Sequence, residues 1–261
     1  MSDVYVSYDP YGRMGNRMFQ FAFGYILAKA RNCQLYHEAL PNFNIEDKYG
    51  PPVDIITTTR SMGNHKVDFN KLISDPNTII VDSFLQRAEY FIKHRDSLRE
   101  AFKIKKHGLT NKDNLVVHVR ETDYNQINRF LGYEFYKAMI DSSGFTNVRI
   151  VTDNSNCDTV QKLLADGCDL VSEGYVDKFQ LHSNERSFSD WLVLLLSENI
   201  ALSQSSFSWW AAFLGYHKKI IFPYRSTGEK QMWPIEPDKD DVDLFFDLDN
   251  TNTRFIYEYT L

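Results

Sequence analysis

The sequence predicts an α/β protein in which parallel strands alternate with helices. Short apolar runs typical of buried strands are followed by longer segments whose apolar residues recur at helical spacing. This alternation occurs on both sides of a polar, basic stretch at residues 103–114, which we interpret as a linker. The chain of 261 residues is long enough to form two cores. We therefore predict an N-terminal domain at residues 1–106 and a C-terminal domain at residues 107–261.

The N-terminal half begins with an apolar run that predicts a strand at residues 4–8. A helix is expected at residues 17–31, because apolar residues recur there on one face and Asn16 is a favourable N-cap. Proline, glycine and asparagine residues indicate a loop-rich insertion at residues 41–77. The other predicted elements of this half are strands at 34–37 and 78–82 and a helix at 87–102.

The C-terminal half begins with a predicted strand at residues 115–119. Asp190 is expected to cap a strongly apolar helix, and residues 238–249 are rich in aspartate and predict a solvated acidic segment. The predicted helices of this half lie at 133–140, 156–166, 191–197 and 206–215, and the further strands at 148–152, 200–203 and 219–222.

Composition and charge exclude several classes of protein. The net charge of −6 argues against general nucleic-acid binding, which normally needs a basic face. The three cysteines follow no metal-ligand spacing, so we expect no metal and a reducing compartment. We recognise neither a signal peptide nor an apolar span of membrane length, and expect a cytoplasmic protein.

The segment SSFSWWAAFL at residues 205–214 stands where an apolar strand gives way to an apolar helix. A helix N-terminus carries free N–H groups and partial positive charge, and the hydroxyls of Ser205 and Ser206 add donors, so the turn can bind a diphosphate. The alternative is a capped core helix without a ligand. Phe207 can stack on a nucleobase or pack in the core, whereas the aromatic residues that follow are expected to be core: Trp209, Trp210 and Phe213.

The segment VHVRETDY at residues 117–124 ends a buried strand with Arg120. Ligands of open α/β sheets collect at the carboxyl ends of the strands, and a guanidinium can hold phosphate oxygens with two parallel hydrogen bonds. His118 alternates with Arg120 and shares its face of the strand. The alternative role for Arg120 is a structural salt bridge with Asp123, which can also orient His118 or act as a base.

Two further places carry candidate ligand-binding residues. In the segment YGRMGNRMFQFA at residues 11–22, small residues that let a backbone approach a ligand, Gly12 and Gly15, stand beside the polar Arg13 and Asn16. This spacing is not the dinucleotide fingerprint, and a glycine turn with a helix cap is the alternative. Asp153 follows the strand at 148–152, where a carboxylate can accept hydrogen bonds from a base or a ribose or can cap the next helix.

Taken together and in this order, the three segments resemble the motifs of the GDP-fucose α-1,2-fucosyltransferases, which typically read GRLGNQMFQYA, HxRRGDY and SSFSWWAAxL. The likeness continues through residues 81–91 and as far as about residue 224. It implies a GT-B-like fold, with two Rossmann-like domains facing across a cleft and the nucleotide sugar held by the C-terminal one. It also implies inverting transfer of L-fucose from GDP-β-L-fucose to a glycan hydroxyl, without a metal or other cofactor.

The resemblance implies that Arg120 stabilises the departing diphosphate and that Asp153 contacts guanine or ribose. The base is less defined, with Asp123, Glu121 and His118 as candidates. The chain departs from the motif where Glu121 replaces the second arginine and Thr122 the glycine. Either Arg13 or Arg17 compensates, or the donor is a different sugar nucleotide, or activity is weak or lost. Strand alternation can also carry Glu121 away from the donor.

Two rival functions therefore remain open: a transferase for another sugar nucleotide, and an inactive module that binds a glycan or a nucleotide. Golgi members of the family carry a membrane anchor, so this chain is expected to be of the cytosolic bacterial, viral or protist type. The insertion at residues 41–77 is expected to shape the acceptor site.

Overall fold

The computed structural model describes residues 2–8, 12–60, 66–106, 108–121, 131–171, 186–225, 244–247 and 252–257. The chain divides into two compact units, one of Met1–Lys105 with Glu236–Leu244 and the other of Lys106–Ile235 with Phe245–Leu261. The boundary expected from sequence, after residue 106, lies next to the division at Lys105. No signal in the sequence indicated that Glu236–Leu244 belongs with the first unit.

The first unit contains a four-stranded parallel sheet in the order β2-β1-β4-β3. Its strands are β1 (Val4–Val6), β2 (Leu35–Tyr36), β3 (Ile56–Thr58) and β4 (Thr78–Val81), and its helices are α1 (Met14–Arg31), α2 (Phe69–Ser74) and α3 (Arg95–Ala101). Short 3-10 turns lie at Pro41–Phe43, Ala88–Tyr90 and Ile92–His94.

Helix α1 packs closely on this sheet. Its buried face carries Met18, Phe19, Phe23 and Leu27, which are completely or almost completely withdrawn from solvent. At Gly24 an added Cβ would come within 2.6 Å of Val6 Cγ2, so only glycine allows this approach of helix and strand. The apolar periodicity read from the sequence is therefore the face that α1 buries.

Three predictions for the first unit need correction. Helix α1 begins at Met14, so that Arg13 is the N-cap and Asn16 lies inside the first turn, where its Oδ1 accepts from Gln86 Nε2 at 3.0 Å. The insertion at 41–77 contains β3 and α2, because Asp68 caps α2 through Lys71 N and β3 pairs with β4. Residues 88–94 form 3-10 turns before α3, closed by hydrogen bonds from Phe91 N to Ala88 O and from His94 N to Phe91 O.

The second unit contains a six-stranded parallel sheet in the order β10-β9-β8-β5-β6-β7. Its strands are β5 (Thr110–Val119), β6 (Val148–Thr152), β7 (Asp169–Leu170), β8 (Ser197–Ala201), β9 (Lys219–Arg225) and β10 (Thr253–Tyr257). Its helices are α4 (Tyr133–Ser143), α5 (Asp158–Ala165), α6 (Arg186–Leu196) and α7 (Ser206–Leu214). Residues 115–119 of β5 and 197–201 of β8 are buried throughout, as expected for strands covered on both faces, although Ser197, Glu198 and Asn199 are polar.

Several boundaries in the second unit differ from the sequence prediction, among them those of β5, α6 and β8. Strand β5 begins at Thr110, inside the expected linker, because polar groups hold its start: Thr110 Oγ1 donates to Leu196 O and Asn111 Nδ2 to Ser197 Oγ. Helix α6 starts at Arg186, so Asp190 is an internal residue and not a cap, and Ser197 belongs to β8. The apolar face of α6 already includes Phe188.

The order of strands reverses once in each sheet. In the second unit the chain runs from β5 outward to β6 and β7, then returns to the other side of β5 with β8 and β9. In the first unit the reversal lies between β1 and β4. Adjacent strands whose connections leave in opposite directions form a crevice at their carboxyl ends, which is where open α/β sheets bind ligands.

Among the described helices, none is both long and apolar enough to cross a lipid bilayer. The acidic segment expected at residues 238–249 lies outside the described residues except for 244–247.

Candidate functional site

Arg120 and Ser205 meet at the point where the strand order of the second sheet reverses. Arg120 directly follows β5, Ser205 lies in the turn between β8 and α7, and Arg120 Nη1 donates to Ser205 Oγ at 3.4 Å. Ser205 is the N-cap of α7, and its Oγ accepts from Phe207 N at 3.3 Å. A guanidinium and the positive end of a helix therefore lie next to each other, an arrangement that can bind an anionic ligand.

Ser206 is the first residue of α7 and is half-buried, whereas Ser205 is completely withdrawn from solvent. The Oγ of Ser208 turns back towards the carbonyls of Ser203 and Ser205. The cap and the contact with Arg120 therefore both belong to Ser205, which the sequence did not distinguish from Ser206. The aromatic residues Trp209, Trp210 and Phe213 are fully buried, as expected.

His118 is buried beneath this site. Its Nδ1 lies 2.7 Å from Ser203 Oγ, and its ring stacks on that of Phe207, with 5.3 Å between the ring centroids. Burial, and then the charge of Arg120, lowers the pKa of His118 to about 3. The imidazole is therefore neutral near pH 7 and links β5 to the turn after β8. The His118 ring covers one face of the Phe207 ring.

Glu121 leaves the end of β5 in another direction from Arg120. Its side chain is buried, with 5% of the residue surface exposed. It lies beside Cys157, the residue before α5, and raises the pKa of that thiol through its charge and a hydrogen bond, after the larger effect of burial. Arg120 thus contacts the β8–α7 turn, and Glu121 contacts the β6–α5 turn. The two side chains point in different directions, although both residues follow the end of β5 at Val119, beyond the alternation of the strand.

The carboxylate of Glu121 is incompletely paired. Its Oε1 is buried and has no hydrogen-bond partner among the described residues. On the other side of Arg120, the buried Gln204 Nε2 is likewise a donor without a partner in the described part of the chain. A buried polar atom normally finds a partner, so these two atoms mark places where a ligand or ordered water can bind.

Asp153 lies in the β6–α5 turn and is exposed. Its charge also raises the pKa of Cys157, which places the carboxylate near Cys157 and Glu121. Asp123, predicted as a candidate base, lies outside the described residues.

The four candidates in the first unit lie at the start of α1, after β1. Gly12 and Gly15 are buried, Arg13 is exposed and Asn16 is half-buried. The same edge is held together by polar contacts of the neighbouring residues: Arg17 Nε donates to Gly12 O at 3.2 Å, the Arg17 guanidinium lies 5.6 Å from the centre of the Tyr8 ring, and the buried Gln20 Nε2 donates to Ser7 O at 3.0 Å.

The structure adds residues that sequence reasoning missed, namely Ser203, Gln204 and Cys157. Ser203 and Gln204 stood next to a recognised motif, but their roles depend on which strand lies beside β8. Cys157 carried no signal, because its neighbour Glu121 is 36 positions away along the chain (157 minus 121). No group of three or more His, Cys, Asp or Glu side chains that could hold a metal occurs within the described ranges.

The fold and the site define a two-unit protein with Rossmann-like parallel sheets, of the GT-B-like class. Among solved structures, a mutant of FUT1 from Arabidopsis thaliana in complex with GDP is similar over 87% of this chain and 72% of its own, with 12% sequence identity and a TM-score of 0.51. At this identity the similarity establishes the fold alone.

Two other solved structures are similar at lower scores. POFUT1 in complex with GDP-fucose matches 84% of this chain and 98% of its own, with 11% identity and a TM-score of 0.48. NodZ α-1,6-fucosyltransferase soaked with GDP-fucose matches 82% of this chain and 93% of its own, with 14% identity and a TM-score of 0.43. No family model and no curated protein matches the sequence.

Proposed function

We propose that the protein is a glycosyltransferase that moves L-fucose from GDP-β-L-fucose to a glycan hydroxyl, with inversion at the anomeric carbon and an α-1,2 linkage. The observation that carries the proposal is the meeting of Arg120 with the capped start of α7 at the reversal of strand order. The resemblance of the three sequence motifs supports the choice of donor.

In this proposal Arg120 holds the diphosphate, assisted by the N-terminus of α7 and by the hydroxyls of Ser205 and Ser206. Gln204 Nε2, which has no hydrogen-bond partner among the described residues, supplies a further donor to the phosphate oxygens. As the bond from fucose C1 to the phosphate oxygen breaks, both bonding electrons leave with GDP. Fixed donors stabilise that charge without reorganisation, which lowers the barrier to transfer.

The acceptor hydroxyl forms the new bond to C1 and loses its proton. The buried, neutral His118 is a positioning residue, because Ser203 occupies its Nδ1 and Phe207 its ring face. Asp123, one of the three candidate bases, lies outside the described residues, and its role as the base stays a prediction. Asp153 is proposed to contact the base of the nucleotide, and Phe207 to border the nucleotide with its free face. The residues at the edge of the first sheet, Gly12, Arg13, Gly15 and Asn16, are proposed to take part in substrate binding by that unit.

The test is calorimetric GDP binding together with donor hydrolysis across a panel of GDP- and UDP-sugars. Replacing Arg120 by alanine removes a charge-assisted contact and should weaken GDP binding about ten- to hundredfold. Arg120→Lys should recover little, since the planar fork is lost. The matched control is Arg254→Ala, which removes an exposed guanidinium of the same unit that stacks on Phe245.

Equal GDP binding by the wild type and Arg120→Ala would contradict the donor site. Hydrolysis of a different sugar nucleotide would favour a transferase with another donor. The replacement of the second motif arginine by Glu121 is the observation that supports this rival function. Tight GDP binding without turnover of any donor would favour an inactive module.

A cytoplasmic location is also proposed. All three cysteines are free thiols, which is the usual state in a reducing compartment.

A further inference from the structure

Glu121 Oε1, which has no hydrogen-bond partner in the described part of the chain, lies on the other side of β5 from the Arg120–Ser205 pair. Both residues follow β5, but Arg120 contacts the turn after β8 and Glu121 the turn after β6, on the opposite side of β5 in the sheet. Neighbouring strands are about 4.8 Å apart, so the turns after β6 and β8, on either side of β5, are separated by about 10 Å, which is within the span of one bound nucleotide.

The surroundings of Glu121 favour a carboxylate that accepts hydrogen bonds. One of its oxygens is engaged by the Cys157 thiol at the start of α5, where partial positive charge favours an anion. The other oxygen, Oε1, is buried and has no partner in the described part of the chain. Burying such an atom without a partner costs free energy, which a ligand O–H or N–H group would recover.

We infer that Glu121 accepts hydrogen bonds from the ribose hydroxyls of the bound nucleotide and thereby selects ribonucleotide donors. The inference rests on the proposed function, because it places the diphosphate at Arg120. Glu121 is then a specificity-determining residue at the position where the motif has a second arginine, and not a residue that repels the donor.

Three considerations favour ribose over the other parts of a nucleotide. A carboxylate repels phosphate, so Glu121 cannot take over the work of the missing arginine. Ribose is bonded directly to the diphosphate, whereas the hydrogen-bonding edge of the base lies beyond it. Carboxylates are also the groups that Rossmann-like sites use to bind ribose hydroxyls.

The experiment compares the binding of GDP, 2′-deoxy-GDP and 3′-deoxy-GDP by calorimetry. In the wild type, removal of the contacted hydroxyl should weaken binding about tenfold, because a charge-assisted hydrogen bond is lost. In Glu121→Ala, removal of the same ribose hydroxyl should change the affinity less than twofold, because the variant has no carboxylate with which that hydroxyl could interact. Glu121→Gln keeps the shape and one acceptor oxygen, and should show an intermediate penalty.

The matched control is Asp158→Asn, which removes an exposed carboxylate from the same end of α5, where it pairs with Lys162. It should keep the full penalty for the deoxy analogues. Equal binding of all three nucleotides by the wild type would overturn the inference while leaving the proposed function intact. A penalty that is as large in Glu121→Gln and Glu121→Ala as in the wild type would overturn it too. Failure of the wild type to bind GDP at all would overturn the proposed function and this inference with it.

Discussion

His118 illustrates how burial at the end of β5 determines the state of a titratable side chain. The ring is enclosed by Ser203 and Phe207 and lies beside the cation of Arg120, so the protonated form is disfavoured twice. His118 thereby joins the end of β5 to the turn after β8 without carrying a charge of its own near neutral pH.

This burial predicts a pH-dependent stability. The pKa of His118 is lowered to about 3 in the folded protein, against about 6.5 in the unfolded chain. Its contribution is therefore fully present above pH 6.5 and is lost as the pH falls towards 3. Between pH 7.5 and pH 5 the free energy of unfolding should fall by about 2 kcal/mol from this residue.

The measurement is urea denaturation of the wild type and His118→Asn across that pH range. Asparagine can keep a hydrogen bond to Ser203 but does not titrate, so the variant should lose this part of the pH dependence. At pH 8 and above the difference between the two proteins should become constant. Parallel pH profiles throughout the range would show that His118 is not held neutral.

At the scale of single elements, the start of α7 has a structural role and is also proposed to bind the ligand. Ser205 closes the helix by accepting from Phe207 N and also meets Arg120, whereas Ser206 follows as the first helical residue. From residue 209 to residue 214 the helix is apolar and completely buried. Its packing holds the N-terminus at the edge of the sheet, where a diphosphate can use the partial charge.

The two serines should therefore respond differently to replacement by alanine. Ser205→Ala removes the cap and should lower the free energy of unfolding by about 1 kcal/mol as well as weaken GDP binding. Ser206→Ala should weaken GDP binding by about 0.5–2 kcal/mol and leave the melting temperature nearly unchanged. Calorimetry with GDP and thermal unfolding of both variants give the comparison. A large loss of stability in Ser206→Ala with unchanged GDP affinity would favour a purely structural turn.

At the scale of the whole molecule, both units repeat one principle. Each is a parallel sheet whose strand order reverses once, and in each the residues singled out by sequence motifs lie after the strands beside that reversal. In the second unit these residues form a positively charged site that consists of a guanidinium and a helix N-terminus. Such groups can stabilise a leaving diphosphate in the role that other enzymes give to a metal.

Transfer should accordingly proceed without a divalent metal. After treatment with EDTA, activity should stay within about twofold of the untreated value, because charge stabilisation is proposed to come from Arg120 and α7. The assay is fucosyl transfer measured with and without the chelator, with added Mg²⁺ and Mn²⁺ as separate conditions. A near-complete loss that either ion restores would contradict the proposed mechanism.

The sequence by itself determined the class of the fold and the local position of the residues that form the proposed donor site. Apolar runs in the sequence indicate buried strands, and apolar residues on one side of a helical pattern indicate α1. Both patterns are local, because each element buries its own apolar residues. The strand predicted at residues 148–152 coincides with β6. Arg120 was placed at a strand end and Ser205 at a helix start by the same local logic.

Only the tertiary structure decided which of these ends lie side by side. Strand order joins β5 to β8 and β6, so that His118 meets Ser203, Arg120 meets Ser205 and Glu121 meets Cys157. The start of β5 was misread as a linker because polar contacts with Leu196 and Ser197, and not apolar burial, hold it in the sheet. Periodicity records whether a residue is buried, but the choice of neighbour depends on long-range packing, which leaves no local pattern in the chain.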